Sequence, residues 1–508
     1  MKRIIAYFLA IFMIASVVFS CVSCDVSSIV NQLLEDPGID AESTDEEKET
    51  KKPSDSTDST DDTDSTKEDT TEDTTFEAES DSDIENDTTP PVDTPIDPPS
   101  YEFDGQGQTL TILSAEGGMN NYFIHKEESG YNILADHLDE RNNYIAEQYN
   151  FIVENNFVPQ SDVYNKVQAS WMVQDNSIQT FTPPASAGLG TYIARGYLCS
   201  FENLEIDLSA DHWNQSLMEN ISYNGRQYAG YGDMLLTDTN VIIFNKDRAA
   251  YYNIEDLYEI VHNGEWTIEK MYEISMQCFE DWGGGYASYG ISGDFRATVN
   301  NFVFASGMAL SSKNESKGIY EIYGSEDKLY QVYDNIYNML KCNPAAYDTF
   351  DGNKNVFSEG NSVFELSTTY QIGAYSNVEF SYGILPYPKA EADQMDYSSN
   401  YSGSYICVLS GVTDIYFTGK ALDIVNKHSS DIEDRLWSRL LTSQEDMDMM
   451  NTVRRNLVND FAFVYLKQEL SGMINLFSTS FMNDSSSIAK DYKMNINKWN
   501  SELRQHKY

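Results

Sequence analysis

Residues 221–271 read ISYNGRQYAGYGDMLLTDTNVIIFNKDRAAYYNIEDLYEIVHNGEWTIEKM, and the pattern of apolar runs in this stretch decides the fold class. Its middle, residues 241–246, is a short apolar run that closes with a polar pair. Such a run is typical of a strand buried on both faces, as in a parallel or mixed sheet that helices cover. The stretch therefore predicts an α/β protein.

Two helices are expected directly after this strand. The first is a helix-length segment over residues 251–261, which Asn263 and Gly264 are expected to stop. The second begins with Thr267 as its N-cap and has Glu269 in its first turn, where a carboxylate favours the positive end of the helix dipole.

The chain upstream alternates between strand and helix patterns. Residues 107–114 predict a strand, residues 133–148 an amphipathic helix, residues 151–157 a strand, and residues 161–173 a helix capped by Ser161. This alternation predicts βαβ units and a parallel sheet. About 400 residues follow position 100, which exceeds one ordinary core and fits two lobes.

The order of these motifs resembles the extracellular solute-binding proteins of ABC importers, the family 1 sugar-binding type. Members of that family carry a strand ending in F/Y-N-K, a helix, and then G-x-W-T at the start of another helix. The matches here are FNK at residues 244–246 and GEWT at residues 264–267. Residues 382–389, YGILPYPK, are the most specific match, and the resemblance extends over about residues 107–466.

The resemblance implies a two-lobed, type II periplasmic-binding-protein fold. Each lobe would be a mixed, mostly parallel sheet flanked by helices, and the lobes would close on a ligand by hinge bending. The expected crossings between lobes lie near residues 238–241 and after Lys389. The expected divisions are a lipoprotein signal peptide at 1–21, a disordered acidic tether at 22–102, and a solute-binding domain at 103–508, with lobe 1 at about 103–239 and 402–450 and lobe 2 at about 240–401 and 451–508.

The N-terminus has the features of an export signal. A charged start is followed by an apolar run over residues 4–19, which is short for a membrane span. Ser20 before Cys21 resembles a bacterial lipobox, so we expect Cys21 to be lipidated, with Cys24 as the alternative. A plain secretory signal with two incidental cysteines is the other interpretation. A diacyl anchor would hold the protein on the cell surface, at the outer face of the bacterial cytoplasmic membrane.

Residues 40–100 consist mainly of Asp, Glu, Ser, Thr and Pro, with 23 acidic and 4 basic residues. Such a segment buries too little apolar surface to offset its ordering entropy, so disorder is expected. The whole chain has a formal net charge of −48. This acidity argues against nucleic acid and against an anionic membrane surface as partners.

Three ligand-binding candidates come from the resemblance. In sugar-binding members an aromatic residue after the strand that begins near residue 362 stacks on the sugar, and Tyr370 has that position here. An aromatic plane covers the apolar C–H face of a sugar ring. The alternative for Tyr370 is a core tyrosine. Asp233 and Asp238 lie just before the crossing strand, where relatives place polar groups at the cleft, although either could cap a turn.

Four further candidates complete the predicted ligand-binding set. Trp282 lies among glycines and would be an exposed stacking residue. Asn400 and Tyr405 would belong to the returning hinge and the cleft wall. Glu116 follows the first predicted strand. The expected ligand is a small solute, a mono- or oligosaccharide.

The sequence predicts neither a cofactor nor a metal, since no Cys/His cluster or calcium loop with correctly spaced ligands occurs. It lacks a G-x-S-x-G, H-E-x-x-H or P-loop motif, which argues against an enzyme. The partners implied by the resemblance are ABC permease subunits, with the membrane contacted through the lipid and the protein a monomer. Two alternatives remain open: a surface glycan-binding lipoprotein without a transport role, and a secreted glycosidase.

Overall fold

The structure is a computed structural model that describes residues 103–124, 134–184, 187–284, 286–322, 325–350 and 355–508. The predicted signal peptide at 1–21, the tether at 22–102, and the lipidation candidates Cys21 and Cys24 lie outside the described residues. The described residues from 103 onward belong to one compact unit. Among the described residues, no helix has both the length and the apolar character needed to cross a membrane.

The strands are β1 (Gln108–Ala115), β2 (Phe151–Val158), β3 (Thr180–Thr182), β4 (Leu198–Cys199), β5 (Asn240–Asn245), β6 (Glu280–Gly283), β7 (Tyr286–Gly293), β8 (Ser311–Asn314), β9 (Ile319–Ile322), β10 (Ala346–Asp348), β11 (Ser362–Thr368), β12 (Tyr382–Leu385), β13 (Ser399–Asn400), β14 (Cys407–Leu409) and β15 (Leu457–Val458).

The α-helices are α1 (Ala135–Tyr149), α2 (Gln160–Val173), α3 (Gly190–Ala194), α4 (Gln215–Glu219), α5 (Lys246–Tyr251), α6 (Leu257–His262), α7 (Ile268–Gln277), α8 (Phe295–Thr298), α9 (Asn301–Ala305), α10 (Glu326–Leu340), α11 (Ile415–Lys427), α12 (Ile432–Leu440), α13 (Gln444–Arg455), α14 (Phe461–Tyr465), α15 (Ser471–Ile474), α16 (Leu476–Met482) and α17 (Ala489–Leu503). Short 3-10 helices cover Gly118–Phe123, Phe201–Asn203 and Thr369–Asn377.

The first sheet has the strand order β2-β1-β3-β14-β4. β1 runs parallel to both β2 and β3, which confirms the predicted βαβ units. β14 returns from much later in the chain and pairs antiparallel with β3 and β4. Leu110, Ile112 and Phe181 are almost fully buried, because helices α2 and α11 pack on this sheet.

The second sheet has the order β10-β7-β11-β5-β12, with β6 added beside β7. The strand predicted at residues 241–246 is confirmed as β5, and its residues 241–244 are at most 4% exposed. β5 pairs antiparallel with β11 and β12, whereas β7 runs parallel to β10 and β11. Both sheets are therefore mixed, with antiparallel pairs at least as frequent as parallel ones.

The backbone passes between the two sheets in the predicted region. Gly230 bridges to Ile406 beside the first sheet, and the chain enters the second sheet at Asn240. Later, α13 contacts β12, and the Asp446 carboxylate accepts a hydrogen bond from the backbone N–H of Ile384 at 3.1 Å. This contact links residues 444–455 to the second sheet. The lobe boundaries stay a prediction.

The helix predicted over residues 251–261 is wrong, because two short helices, α5 and α6, replace it. Asn253 has a positive φ of 54°, which ends the helical path. The Asp256 side chain then accepts the backbone N–H groups of Tyr258 and Glu259, so it caps a new helix.

Two predicted helix starts have opposite outcomes. The Thr267 hydroxyl accepts the backbone N–H of Lys270 at 3.1 Å, which confirms it as the N-cap of α7. Ser161 is not a cap, because α2 begins one residue earlier, after Pro159. Pro159 occupies the N-cap position, and its carbonyl accepts the backbone N–H of Asp162 at 2.9 Å. The Ser161 hydroxyl instead donates a hydrogen bond to the carboxylate of Asp162.

Candidate functional site

The two sheets lie next to each other at the strand ends from which polar loops emerge. Thr368 at the end of β11 pairs with Asn240 at the start of β5. The pairing continues one residue further, where the backbone N–H of Thr369 donates to the Thr239 carbonyl at 2.9 Å. Asp238 and Tyr370 therefore leave the second sheet side by side. Carboxyl ends of strands in open α/β sheets are common ligand sites.

Tyr370 contacts the loop that follows β1 in the first sheet. Its hydroxyl oxygen accepts a hydrogen bond from the side-chain amide of Asn121 at 3.2 Å. The rings of Tyr122 and Tyr370 meet edge to face, with their centroids 6.2 Å apart. Asn121 also accepts the backbone N–H of Gly117. One tyrosine of the second lobe is thus held by the loop that follows β1 of the first lobe.

A cavity of about 190 Å³ lies on one side of this contact, and we call it the Asp238 cavity. Its lining comes from the first lobe and the two crossing segments and consists of residues 115–120, Gln160, Pro184, Leu235, Leu236, Asp238 and residues 401–404. Two of the predicted ligand residues, Glu116 and Asp238, are therefore brought together.

Burial raises the pKa of Asp238 to about 6, although a hydrogen bond from the Met119 backbone opposes the shift. The backbone N–H of Ser402 donates to the Asp238 carbonyl at 2.8 Å, which ties the returning chain to the first crossing. A Cβ on Gly118, whose φ is 54°, would lie 2.9 Å from the Asp238 carboxylate. Glycine at this position lets the loop approach the carboxylate closely.

A larger cavity of about 590 Å³ lies on the other side of Tyr370, and we call it the Glu365 cavity. It is lined by polar residues of the second lobe: Asn240, Asp294, Thr298, Thr349, Asn355, Glu365, Thr368, Tyr370, Gln371 and Tyr375, together with Ala297 and Leu366. The Asp238 cavity and the Glu365 cavity together are called the cleft below.

Glu365 is a cleft residue that the sequence reasoning missed. It lies in β11 and is 7% exposed, and the Ser292 hydroxyl of β7 donates to its carboxylate. Burial raises the pKa of Glu365 to about 7. The signal was visible as a single acidic residue within the buried run SVFELS at residues 362–367. Charged groups are rarely placed in such a run without a specific reason.

Trp282 lies away from the cleft. β6, which carries it, pairs with the beginning of β7, whereas Gly293 at the other end of β7 leads to the Glu365 cavity. Trp282 is 48% exposed, its indole N–H donates to Glu280, and the Arg248 guanidinium lies 5.5 Å above its ring. The predicted exposure is confirmed, but the residue is at the opposite edge of the second sheet.

Asp233 also lines neither cavity. Its backbone N–H donates to the carbonyl of His212. Burial raises the pKa of its carboxyl group to about 6, while His212 and Arg454 favour the charged form. The structure therefore places Asp233 in a charged cluster beside the crossing segment, separate from Asp238.

Asn400 and Tyr405 are buried behind the cleft. The Tyr405 side chain is 1% exposed, and its hydroxyl donates to the amide oxygen of Asn459 at 3.3 Å. The backbone carbonyl of Asn400 accepts the Thr239 hydroxyl at 2.7 Å. These contacts join the returning chain to the first crossing, so both residues are placed to support the hinge rather than to face a solute.

The described residues contain no group of three or more His, Cys, Asp or Glu side chains arranged to hold a metal ion. The cleft offers carboxylates, amides, hydroxyls and one accessible aromatic ring. Such groups recognise a polar, hydroxylated molecule through hydrogen bonds and ring contact.

No protein-family model matches the sequence, and no curated protein matches it either. Solved structures do. The sugar-binding protein MalE from Xanthomonas citri is 11% identical, with a TM-score of 0.57 over 78% of this chain and 98% of that one. The cyclic alpha-maltosyl-1,6-maltose binding protein from Arthrobacter globiformis is 13% identical, with a TM-score of 0.55 over 78% and 99%.

An ABC substrate-binding protein from Listeria monocytogenes, solved in complex with cycloalternan, is 15% identical. Its TM-score is 0.53 over 78% of this chain and 99% of that one. The chain therefore has the two-lobed periplasmic-binding-protein fold of these sugar-binding proteins, with mixed sheets flanked by helices. At these identities the likeness shows the fold, and the solute is a separate question.

Proposed function

We propose that this chain is the extracellular substrate-binding lipoprotein of an ABC importer, which captures a mono- or oligosaccharide between its lobes. The observation that carries the proposal is the meeting of Glu116, Asp238 and Tyr370 at the contact between the two sheets' polar edges. The solved relatives named above bind sugars, and their fold is shared over nearly their whole length.

The chemistry of the cleft suits such a ligand. Tyr370 would stack on the apolar face of a sugar ring, for which its ring must turn from the contact with Tyr122. The carboxylates of Asp238 and Glu116 would accept hydrogen bonds from hydroxyls. Hinge closure about residues 238–240 and 400–402 would exclude water from these hydrogen bonds and strengthen them.

Delivery requires a permease and attachment to the membrane. A lipid on Cys21, or on Cys24, would hold the chain at the outer face of the cytoplasmic membrane, with the acidic tether giving reach. The closed form would present both lobes to permease subunits. The chain would act as a monomer, because each copy carries both walls of its own cleft.

The test measures binding of a panel of mono- and oligosaccharides to the mature chain. Thermal shift and isothermal titration calorimetry are the two readouts. Stabilisation should grow as RT ln(1 + [L]/Kd). Tyr370→Ala should weaken the best ligand about tenfold or more, which is the size expected for a lost ring contact and its buried area. Trp282→Ala, at the far edge of the second sheet, is the matched control and should leave affinity unchanged.

Other outcomes would favour other functions. Binding of polysaccharide without uptake in a cell lacking only this chain would indicate a surface glycan-binding lipoprotein. Release of shorter sugars from an oligosaccharide would indicate a glycosidase. Failure of every saccharide to shift the melting temperature or release heat would contradict the proposed function.

A further inference from the structure

Carboxylates dominate the charged groups of the cleft. Glu116 and Asp238 line one cavity, and Asp294 and Glu365 line the other. Among the described residues that line the two cavities, none is lysine, arginine or histidine. An ion placed between the lobes therefore meets negative groups from both sides.

Two basic side chains of neighbouring segments, Arg296 and Arg141, have other partners. The Arg296 Nε lies 3.7 Å from the carboxylate of Asp294 and offsets its negative charge. The guanidinium of Arg296 also stacks on the ring of Phe350. The side-chain nitrogens of Arg141, which lines a neighbouring cavity under the first lobe, donate to the side chains of Asn142 and Ser429. This leaves the carboxylates of Glu116, Asp238 and Glu365 without a cationic partner in the described part of the chain.

Glu365 is the most deeply buried of these groups. Its carboxylate receives the Ser292 hydroxyl, and no described Lys, Arg or His nitrogen lies within 4.0 Å of it. A carboxylate in such a place is costly unless a donor or a positive charge is brought to it. Its second oxygen has capacity for a donor that enters from the Glu365 cavity.

We infer that the cleft selects solutes by charge and that Glu365 is the residue that determines this selectivity. Sugars that carry an amino group bind tighter than their neutral counterparts, and neutral sugars bind tighter than those that carry a carboxylate. An ammonium group forms a charge-assisted hydrogen bond with Glu365, while an added carboxylate is repelled at low dielectric. This inference rests on the proposed function, because it assumes that a sugar occupies the cleft.

The test is titration calorimetry of the mature chain at pH 7.5 with six disaccharides. These are the neutral, 2-amino and 6-carboxyl forms of the α-1,4-linked and of the β-1,4-linked glucose dimer. For at least one linkage we expect the amino form to bind about tenfold tighter than the neutral form, and the carboxyl form about tenfold weaker or worse, steps of about 1.4 kcal/mol each.

Glu365→Gln keeps the shape of the side chain and its acceptor for Ser292, so it should remove most of the preference for the amino form. Glu359→Gln, which changes an exposed carboxylate of the same lobe, is the matched control and should keep the full order of affinities. Urea unfolding of both variants establishes that each is folded in the titration.

The possible outcomes distinguish a failure of the charge selection from a failure of sugar binding. A carboxyl form that binds as tightly as its neutral counterpart overturns the charge selection while leaving sugar binding intact. An undiminished preference for the amino form in Glu365→Gln overturns the role of Glu365. No binding by any of the six disaccharides overturns the charge selection as stated here, whereas only failure of the whole saccharide panel contradicts the proposed function.

Discussion

Replacing Glu365 with glutamine should stabilise the empty protein, and by more at high pH than at low pH. Glu365 is 7% exposed, and burial raises its pKa from 4.5 to about 7. The folded state therefore holds this proton more tightly than the unfolded state does. The ionised carboxylate destabilises the folded protein above about pH 7, and the penalty disappears as pH falls below 4.5.

The magnitude follows from the two pKa values. A separation of about 2.5 units corresponds to a penalty of about 3 kcal/mol at pH 8 and about 1 kcal/mol at pH 5. Glutamine has no such penalty and still accepts the Ser292 hydroxyl. We therefore expect the free energy of unfolding to rise by about 3 kcal/mol at pH 8 and by about 1 kcal/mol at pH 5.

Urea unfolding at the two pH values, followed by tryptophan fluorescence, measures both numbers. Glu359→Gln is the control, because an exposed carboxylate should change the unfolding free energy little at either pH. Equal effects of Glu365→Gln at pH 5 and pH 8, or a loss of stability at pH 8, would refute the assignment of Glu365 as a buried, uncompensated carboxylate.

Three further predictions concern a buried ion pair, the packing of a strand and the cleft. Arg454→Ala leaves the buried carboxylate of Glu433, 2.9 Å from the Arg454 side chain, without its cation, so urea unfolding should show a loss of about 3 kcal/mol that Arg454→Lys partly restores. Gly290→Ala should cost about 3 kcal/mol in the same assay, since its Cβ would lie 2.3 Å from the Ser275 carbonyl; a loss below 1 kcal/mol would show that the strand can move. The affinity for a neutral sugar should fall as pH drops below about 6, where Asp238 gains a proton and loses acceptor capacity, and titration of Asp238→Asn should show weaker binding without this pH dependence.

Local sequence signals predicted much of the framework. The apolar run at residues 241–246 is β5, because a strand buried on both faces requires apolar side chains at every position. The Thr267 cap was also visible, since it depends only on a side chain and a backbone N–H three residues later. The break between α5 and α6 was missed because the apolar spacing continues across Asn253 and Asp256, whose backbone and capping roles override it.

The sequence likewise indicated some residues of the candidate site and misplaced others. Glu116 and Tyr370 follow the ends of β1 and β11, Asp238 precedes the start of β5, and each of the three lines one of the two cavities. Trp282 also sits among turn residues, yet its strand pairs with the other end of β7. Tyr405 occupies the predicted returning segment but faces the core. Which edge or face a residue occupies depends on strand pairing, which short sequence windows do not contain.

The amino-acid sequence alone determined that this chain has an acidic segment at residues 40–100, alternating strand and helix patterns, and enough length for two lobes. Only the tertiary structure decided that Glu365 lies in a cavity with Ser292 as its neighbour, 73 positions away along the chain. The physical reason is that burial and pKa depend on the groups that surround a side chain in space. Those groups come from strands that the sequence separates and the sheet brings together.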